Sequence, residues 1–466
     1  MARSAALQAT VDEIGDWAVG PGPLFRQLAR AVAAAVERGA LAHGARLPAE
    51  RALATAVAVS RGTAVAAYDL LVADGVIERV PGSGTFAVGP TELSLPAGRE
   101  GSALVARLVD RSAGGSDLVD LSISVLRSTD RVPPGVGLGV ADLAGVQPDT
   151  GYSPWGLPGL RAAIARLVTA WGVDTTLDEV VVTTGAQQAI STAAACWVRP
   201  GDTVVVEDPC YPGAVSAFGA AGARLVGVRV DRHGVRTDDL ARALGTHPAL
   251  VYLQPTVHSP TGALLAASRR REVAELVTSA RVPLVEDHAL AGLAWEPAPP
   301  PIAAHRPAAS IAVVGSLSKT FWGGLRIGFV RAPAPVALRF ARVKATHDLG
   351  TSAVSQVLAE QLLAAGPPGT DDLRARYDRL AAGLRHHLPS WSWSEPAGGL
   401  SIWVRLPAPV AVPFAQAALR NGVAVATAES LAPGGGHEDR LRLSFSAPAD
   451  ELDEGVRRLA RTWRDQ

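Results

Sequence analysis

One lysine of this sequence stands where a primary amine can do covalent chemistry. The chain has 44 lysine and arginine residues together, and only Lys319 and Lys344 are lysines. Lys319 follows two serines, Ser316 and Ser318, and a glycine-rich segment leads from it to Arg326. A lysine amine condenses with an aldehyde to a Schiff base, which a guanidinium cannot do. The hydroxyls and the arginine suit the phosphate of an aldehyde cofactor such as pyridoxal phosphate (PLP). A surface lysine after a strand is the alternative.

The elements that would position this lysine alternate between strand-like and helical runs from about residue 118 onward. The candidate strands are Val180–Thr183, Thr203–Glu207, Leu250–Leu253, Pro283–Glu286 and Ile311–Val314. Alternation of this kind favours a mostly parallel α/β sheet, in which ligands bind beyond the carboxyl ends of the strands. Gly185, Tyr211, Asp287 and Lys319 each follow a strand closely, so we expect them to converge. Residues from about 345 onward should form a smaller domain.

The N-terminal part predicts a winged helix-turn-helix. Helical spacing runs over residues 24–38, a second helix opens near Glu50, and a third runs from Arg61 to Ala73 with Ser60 as its cap. Two short apolar stretches follow, joined by a proline- and glycine-rich turn. We therefore predict a winged helix-turn-helix domain at 1–88, a linker at 89–117 and a body at 118–466.

Composition narrows the choice of function. The formal net charge is zero, so no overall field points to nucleic acid or to a membrane. No apolar run approaches the roughly 20 residues of a membrane helix, and no signal pattern opens the chain. The two cysteines, Cys196 and Cys210, give neither a disulfide framework nor a metal-ligand set. We expect a cytoplasmic protein without a metal and without membrane contact.

The head resembles the GntR family of bacterial regulators over residues 24–88, in the segments LFRQLARAV, GARLPAERALA, SRGTAVAAYDLLVADGVIERV and PGSGTF. This resemblance implies DNA contacts from the second helix, the third helix and the wing, made by Arg51, Ser60, Arg61, Thr63 and Gly82. A helix N-terminus that offers backbone N–H groups to phosphate agrees with this.

Two features of the head set it apart from a strongly basic DNA-binding domain. Residues 1–90 hold eight arginines and eight acids, so binding must come from a few well-placed contacts. Gly62 replaces the polar helix former usual in the family. A head that serves only for oligomerisation is the alternative.

The body resembles fold-type I aminotransferases over residues 118–460, and a GntR head on such a body is typical of the MocR group. The implied fold is an α+β head joined to an α/β body, with a mostly parallel large domain and a smaller α+β domain. The resemblance implies Lys319 as the PLP lysine and a homodimer in which Tyr152 reaches the phosphate of the neighbouring subunit. The other implied PLP contacts are Gly185, Ala186, Tyr211, Ser259, Asp287, Ser316 and Arg326. Arg442 would hold the carboxylate of a substrate or effector.

The sequence departs from aminotransferases at the donors to the PLP phenolic oxygen. The family segment Asn-Pro-Thr-Gly has Ser259 in place of asparagine, and Ala289 and Leu290 stand where a tyrosine is usual after the aspartate. The loss of both donors weakens tuning for catalysis. We therefore favour a PLP-dependent transcriptional regulator that binds operator half-sites and a small amino compound. An active aminotransferase with an accessory head and an inert PLP-bound scaffold are the alternatives.

Overall fold

The fold is known from a computed structural model that describes residues 7, 10–18, 22–88, 118–126, 131–133, 135–139, 142, 146, 151–428 and 431–465. The linker expected at 89–117 lies outside these residues. Within them, no single helix is long and apolar enough to cross a membrane. The helices Glu50–Ala56 and Arg61–Ala73 reach the required length and apolar composition only when they are taken together, and they are bent by 120° relative to each other.

The head packs three helices against a small sheet. The helices are α1 (Leu24–Glu37), α2 (Glu50–Ala56) and α3 (Arg61–Ala73), and the strands are β1 (Arg46–Leu47), β2 (Ile77–Val80) and β3 (Gly84–Ala87). The predicted cap is confirmed, because Ser60 Oγ accepts from Thr63 N at 3.1 Å. Strand β1 was not predicted; it pairs antiparallel with β3 beside the β2–β3 hairpin. The winged helix-turn-helix is confirmed.

A sheet of eight strands forms the centre of the body. Its strands are β5 (Val180–Thr183), β6 (Thr203–Asp208), β7 (Arg224–Asp231), β8 (Gly234–Val235), β9 (Leu250–Leu253), β10 (Leu284–Asp287), β11 (Ile311–Ser316) and β12 (Gly328–Arg331). They lie side by side in the order β5-β12-β11-β10-β9-β6-β7-β8. The central pairs from β11 to β7 are parallel, whereas β12 and β8 pair antiparallel. The predicted mostly parallel sheet is confirmed, and strands β5, β9, β10 and β11 are buried along their whole length.

Helices cover both faces of this sheet, as a buried parallel sheet requires. They are α4 (Pro158–Ala170), α5 (Gly185–Trp197), α6 (Pro212–Ala220), α7 (Thr237–Leu244), α8 (Ala267–Ala280), α9 (Leu317–Thr320), α10 (Ala334–Ala345) and α11 (Ala353–Ala365). Short 3₁₀ turns lie at Leu177–Glu179, Ala291–Leu293, Ile302–His305 and Gly323–Leu325.

The smaller domain differs in extent from the sequence-based expectation of a start near residue 345. Helix α11 packs in the core of the large domain, where Ala359 and Leu362 are buried, so the smaller domain takes up after it. Its helices and strands are α12 (Asp371–His387), β13 (Ser392–Trp393), β14 (Ser401–Arg405), α13 (Ala411–Arg420), β15 (Val423–Ala424), β16 (Ala426–Thr427), β17 (Arg440–Ser444) and α14 (Ala449–Arg464).

The first strand of the body belongs with this smaller domain. Strand β4 (Val119–Asp120) pairs parallel with β15, and Leu121 and Leu126 are buried in the same core. The sequence did not predict this return of the chain, because β4 is only two residues long.

A buried arginine braces the loop that runs from β9 past Ser259. Arg270 on α8 is fully buried and donates to the carbonyls of Pro255 at 2.8 Å, Leu265 at 3.0 Å and Pro300 at 3.3 Å. Burial lowers the pKa of Arg270, and the nearby Glu286 opposes that shift. The guanidinium therefore links three separate backbone segments next to the predicted site.

We expect Arg270→Met to destabilise the body. Each buried carbonyl left without a donor costs roughly 1–3 kcal/mol. The neighbouring Arg271 is exposed, so Arg271→Met is a matched control. Calorimetry should show a clear fall in the unfolding temperature for Arg270→Met and little change for the control; equal shifts would contradict the bracing role.

Candidate cofactor-binding site and DNA-binding face

A cavity of about 440 Å³ lies beyond the carboxyl ends of the central strands, between the large and the smaller domain. The residues predicted from sequence that line it are Gly185, Ala186, Tyr211, Ser259, Asp287, Ser316, Lys319, Arg326 and Arg442. Strands β10 and β11 end at Asp287 and Ser316, and Gly185 follows the end of β5. These three strands run in the same direction, so their carboxyl ends meet at one edge of the sheet.

One corner of the cavity is built to bind an anion. Gly185 opens the 13-residue helix α5 with φ 76°, a conformation that favours glycine. A Cβ at this glycine would come within 2.7 Å of Arg326 Nη2, so only glycine leaves room for the guanidinium. Ser316 caps α9 nearby, where its Oγ accepts from Lys319 N at 3.4 Å. A helix N-terminus, a hydroxyl and a guanidinium together suit a phosphate.

A buried carboxylate, Asp287, also lines the cavity. Asp287 accepts from Tyr252 Oη at 2.6 Å, Gln254 Nε2 at 3.1 Å and Ala289 N at 2.7 Å. Burial raises the pKa of Asp287, and the hydrogen bond from Tyr252 opposes that rise. A protonated ring nitrogen at this carboxylate would offset the cost of burying its charge.

The aromatic ring of Tyr211 forms part of the cavity wall. Tyr211 Oη donates to Gln187 Oε1 at 3.2 Å, and Gln187 Nε2 donates to the Gly213 carbonyl at 2.8 Å. Burial raises the pKa of Tyr211 to about 12, so the phenol stays neutral. Gln187 thus fixes the direction of the ring, which suits stacking on a flat heteroaromatic ligand.

The lysine amine also lines the cavity. Lys319 Nζ donates to the Ser124 carbonyl at 2.7 Å. Burial lowers the pKa of Lys319 to about 8, helped by the positive charges of Arg442 and Arg326 and opposed by Asp287. More of the amine is therefore neutral near pH 8 than in an exposed lysine, and the neutral amine is the nucleophile.

The second lysine has a different environment. The Lys344 side chain is fully buried, and Nζ lies 2.5 Å from Asp348 Oδ1. Asp348 Oδ2 also accepts from Gln188 Nε2 at 2.6 Å. Lys344 therefore forms a structural ion pair with Asp348 and is not among the residues that line the cavity.

A third cation, after Lys319 and Arg326, faces the cavity from the smaller domain. Arg442 on β17 is buried, and its Nη2 donates to the Ser122 carbonyl at 2.5 Å. Its Nε and the Oγ of Ser124 have no hydrogen-bond partner within the described part of the chain. Burial lowers the pKa of Arg442 to about 10. Buried donors of this kind are normally paired, so a ligand acceptor would complete them.

The three departures from the aminotransferase pattern all lie on the cavity. Ser259, Ala289 and Leu290 line it, and Ser259 N donates to Gln254 Oε1 at 3.2 Å. The side chains of Ala289 and Leu290 carry no donor. Gln254 brings an amide to this wall instead, but its Nε2 already donates to Asp287.

Tyr152 is the one predicted cofactor residue that does not line the cavity of its own chain. It is 67% exposed. A role in a neighbouring subunit stays a prediction.

Sequence reasoning missed four residues that shape the site. Gln254 directly follows β9, the position from which Gly185 and Asp287 were predicted, so the same signal was available for it. Tyr252 and Gln187 act through their contacts to other residues, and Ser124 is 195 residues from the lysine it binds. No local pattern announces such contacts.

Of the predicted DNA-binding residues, Thr63 is half-buried and the others are exposed. Arg51 on α2 and Arg61 at the start of α3 are exposed, as is Gly82 in the β2–β3 turn. The Ser60 hydroxyl is already used as the cap of α3 and lies 2.9 Å from Thr63 Oγ1. The two arginines are therefore the cationic side chains of this set that remain available to phosphates or bases.

The donor set of the cavity fits PLP. It offers an anion corner at Gly185 and Arg326, a carboxylate at Asp287, a ring at Tyr211 and an amine at Lys319. These are the groups that a phosphate, a pyridine nitrogen, a flat ring and an aldehyde require.

Comparison with known families matches both parts of the chain. Residues 116–459 match the family described as aminotransferase class I and II, and residues 24–87 match the bacterial regulatory proteins of the gntR family.

Similar proteins share both parts or the body alone. The HTH-type transcriptional regulator YdfD of Bacillus subtilis is 26% identical over 94% of this chain and 95% of its own length. The probable rhizopine catabolism regulatory protein MocR of Rhizobium meliloti is 28% identical over 79% of this chain and 78% of its own. The multiple substrate aminotransferase of Thermococcus profundus superposes with a TM-score of 0.67 at 25% identity, over 77% of this chain and 94% of that protein.

We expect PLP to bind covalently at Lys319. Purified protein should absorb as a PLP Schiff base, and borohydride should fix the cofactor on Lys319. Cofactor-free protein should take up PLP faster as the pH rises through about 8, where the Lys319 amine loses its proton. Lys319→Ala and Lys319→Arg should not form the adduct, because neither supplies an amine. A reduced adduct on Lys344 would refute the assignment.

Proposed function

Because the chain belongs to the aminotransferase class I and II family and carries a GntR-family head, we propose that it is a MocR-group transcriptional regulator whose DNA binding responds to PLP and to an amino compound. The observation that carries this proposal is that a set of side chains fitting PLP lies on the same chain as a helix-turn-helix head, whose recognition helix α3 begins at the exposed Arg61. When bound, PLP supplies an electrophilic carbon and an electron-withdrawing ring.

The residues of the cavity divide the work of holding the cofactor. Gly185, Ser316 and Arg326 bind the phosphate, Asp287 pairs with the ring nitrogen, and Lys319 provides the amine. Tyr252 and Gln254 orient the Asp287 carboxylate through the hydrogen bonds described above.

The effector is an α-amino acid with an uncharged, apolar side chain. Its carboxylate would complete the unpaired Nε of Arg442 and Oγ of Ser124. The remaining walls are mostly apolar: Ile123, Val125, Ala289, Leu290 and Leu400. Among the described residues that line the cavity Asp287 is the sole carboxylate, and it is engaged by three donors, so a second amine would find no counter-charge there.

The protein acts as a homodimer that binds repeated half-sites. Tyr152 is exposed on its own chain, as a residue that reaches into a neighbouring subunit must be. Two recognition helices then meet two half-sites, the arrangement by which dimeric helix-turn-helix proteins gain specificity. The division at 1–88, 89–117 and 118–466 completes this proposal.

An active aminotransferase is the second candidate, and Arg442 favours it because such enzymes hold the substrate carboxylate with an arginine. The apolar Ala289 and Leu290 count against it, since they offer no donor to the phenolic oxygen of PLP.

We expect slow transamination that a restored hydroxyl accelerates. Wild-type turnover should stay well below the enzyme median of about 10 per second. Leu290→Tyr should raise the rate of the half-reaction, whereas Leu290→Phe, which differs from it only by the hydroxyl, should not. Stopped-flow absorbance on leucine and phenylalanine measures this; a wild-type turnover near the median would favour the enzyme.

We expect operator binding to depend on Arg61 and on the cofactor. Arg61→Ala should cost about 1–3 kcal/mol and relax the preference at one base position. Arg26 is exposed on α1, away from the predicted DNA contacts, and Arg26→Ala is the control. Lys319→Ala should alter the affinity of the full chain for paired half-sites. Mobility shifts with and without PLP and leucine measure both effects. An affinity that ignores every ligand, together with unchanged binding by Arg61→Ala, would defeat the proposal.

A further inference from the structure

The head rests on one helix of the smaller domain, α13. Arg420 Nη1 donates to the Val57 carbonyl at 2.8 Å, and Nη2 donates to the Ala58 carbonyl at 2.7 Å. Trp17 Nε1 donates to Gln416 Oε1 at 2.9 Å in a buried contact. The Arg420 guanidinium carbon also lies 6.0 Å from the centre of the Trp17 ring. Two side chains of α13, Arg420 and Gln416, thus bind the head through hydrogen bonds.

This contact falls on the turn between α2 and α3, which leads into the recognition helix α3. Val57 is the C-cap of α2, and Ala58 has φ 51°, a left-handed conformation that alanine rarely adopts. The last carbonyls of a helix lack intrahelical donors and carry its negative dipole end, so a guanidinium stabilises both the cap and the turn. Arg51 and Arg61 stay exposed, so the contact holds the head without covering its DNA-binding side.

A continuous stretch of structure leads from α13 to the cavity. After α13 the chain turns into β15, which pairs with β4 through bonds from Val119 N to the Gly422 carbonyl and from Leu121 N to the Ala424 carbonyl. The residues directly after β4 form the cavity wall. There the Ser122 carbonyl accepts from Arg442, and the Ser124 carbonyl accepts from Lys319.

Cofactor binding must change one end of this stretch. When the Lys319 nitrogen replaces the oxygen of the PLP aldehyde, that oxygen leaves as water with both hydrogens of the neutral amine. As a neutral imine the nitrogen has no hydrogen left to donate to the Ser124 carbonyl, and as a protonated imine it has one, fixed in the plane of the C=N bond. A carboxylate at Arg442 likewise competes with the Ser122 carbonyl for the guanidinium.

We propose that α13 couples the cofactor cavity to the DNA-binding head, with Arg420 as the positioning residue at the contact. Loading the cavity shifts the segment after β4, the β4–β15 pair transmits the shift to α13, and Arg420 passes it to the α2–α3 turn. This coupling rests on the proposed function only for its consequence at the operator. The path is a chain of named hydrogen bonds between packed elements, which can be broken at a single residue.

The test compares full-length wild type, Arg420→Ala and Arg405→Ala, each freed of cofactor and then reloaded with PLP. Arg405 is a matched control, because it is a smaller-domain arginine paired with Asp439 at the surface. Hydrogen exchange of residues 50–64 and operator affinity are measured on the same samples. In wild type and Arg405→Ala, PLP should change the exchange of this turn and shift operator affinity by roughly fivefold or more, within the usual range of allosteric coupling.

Arg420→Ala should bind PLP with an unaltered absorbance band yet lose both responses. Trp17→Phe, which keeps the apolar ring and removes the donor to Gln416, should weaken both responses and serves if the first variant misfolds. Head exchange in either variant that follows PLP as in wild type, or wild-type head exchange indifferent to PLP, overturns the coupling. Wild-type operator binding that ignores PLP overturns the proposed function instead, while the exchange data still decide the coupling.

Discussion

The link between the reactive lysine and the smaller domain is one hydrogen bond, from the Lys319 amine to the Ser124 carbonyl. Lys319 stands at the end of the large central sheet, and Ser124 lies in the segment that the smaller domain holds through β4 and β15. The residue that can react with an aldehyde is therefore also one of the residues that join the two domains. Chemistry at the amine and the position of the smaller domain cannot change independently.

Electrostatics reinforces this dependence. Lys319, Arg326 and Arg442 face one cavity, and Asp287 is the carboxylate among its lining residues. In a setting of low dielectric, these like charges favour a neutral lysine and leave Arg442 in need of an anion. The burial that lowers the pKa of Lys319 also raises that of Asp287, so two groups of opposite type both tend toward neutrality before a ligand arrives. The phosphate, the protonated ring nitrogen and a carboxylate would supply the opposite charges for Arg326, Asp287 and Arg442.

The sequence predicts those parts of the site that follow directly from single strands. Asp287 ends its strand, and Gly185 and Lys319 stand just beyond theirs, so the apolar runs that predict the strands also locate these residues. The resemblance to known families added roles for Tyr211 and Arg442. Contacts between distant segments were not predictable in this way. The pairing of β4 with β15 involves two residues on each strand, too few for a pattern to register.

Helix α11 illustrates the same limit in the division of domains. It lies beyond residue 345, where the smaller domain was expected to begin, but its packing places it in the core of the large domain. The contacts of Arg420 with the head are separated by more than 360 residues in sequence, and an arginine at a helix end has many possible partners.

The scarcity of lysine gives the chain a chemical selectivity of its own. Aldehydes react with any accessible amine, and an ordinary protein offers many. Here the second lysine side chain, Lys344, is fully buried against Asp348. Carbonyl compounds that meet this protein therefore find its reactive lysine in the cofactor cavity, so a cofactor present at low concentration is not diverted to lysines on the surface.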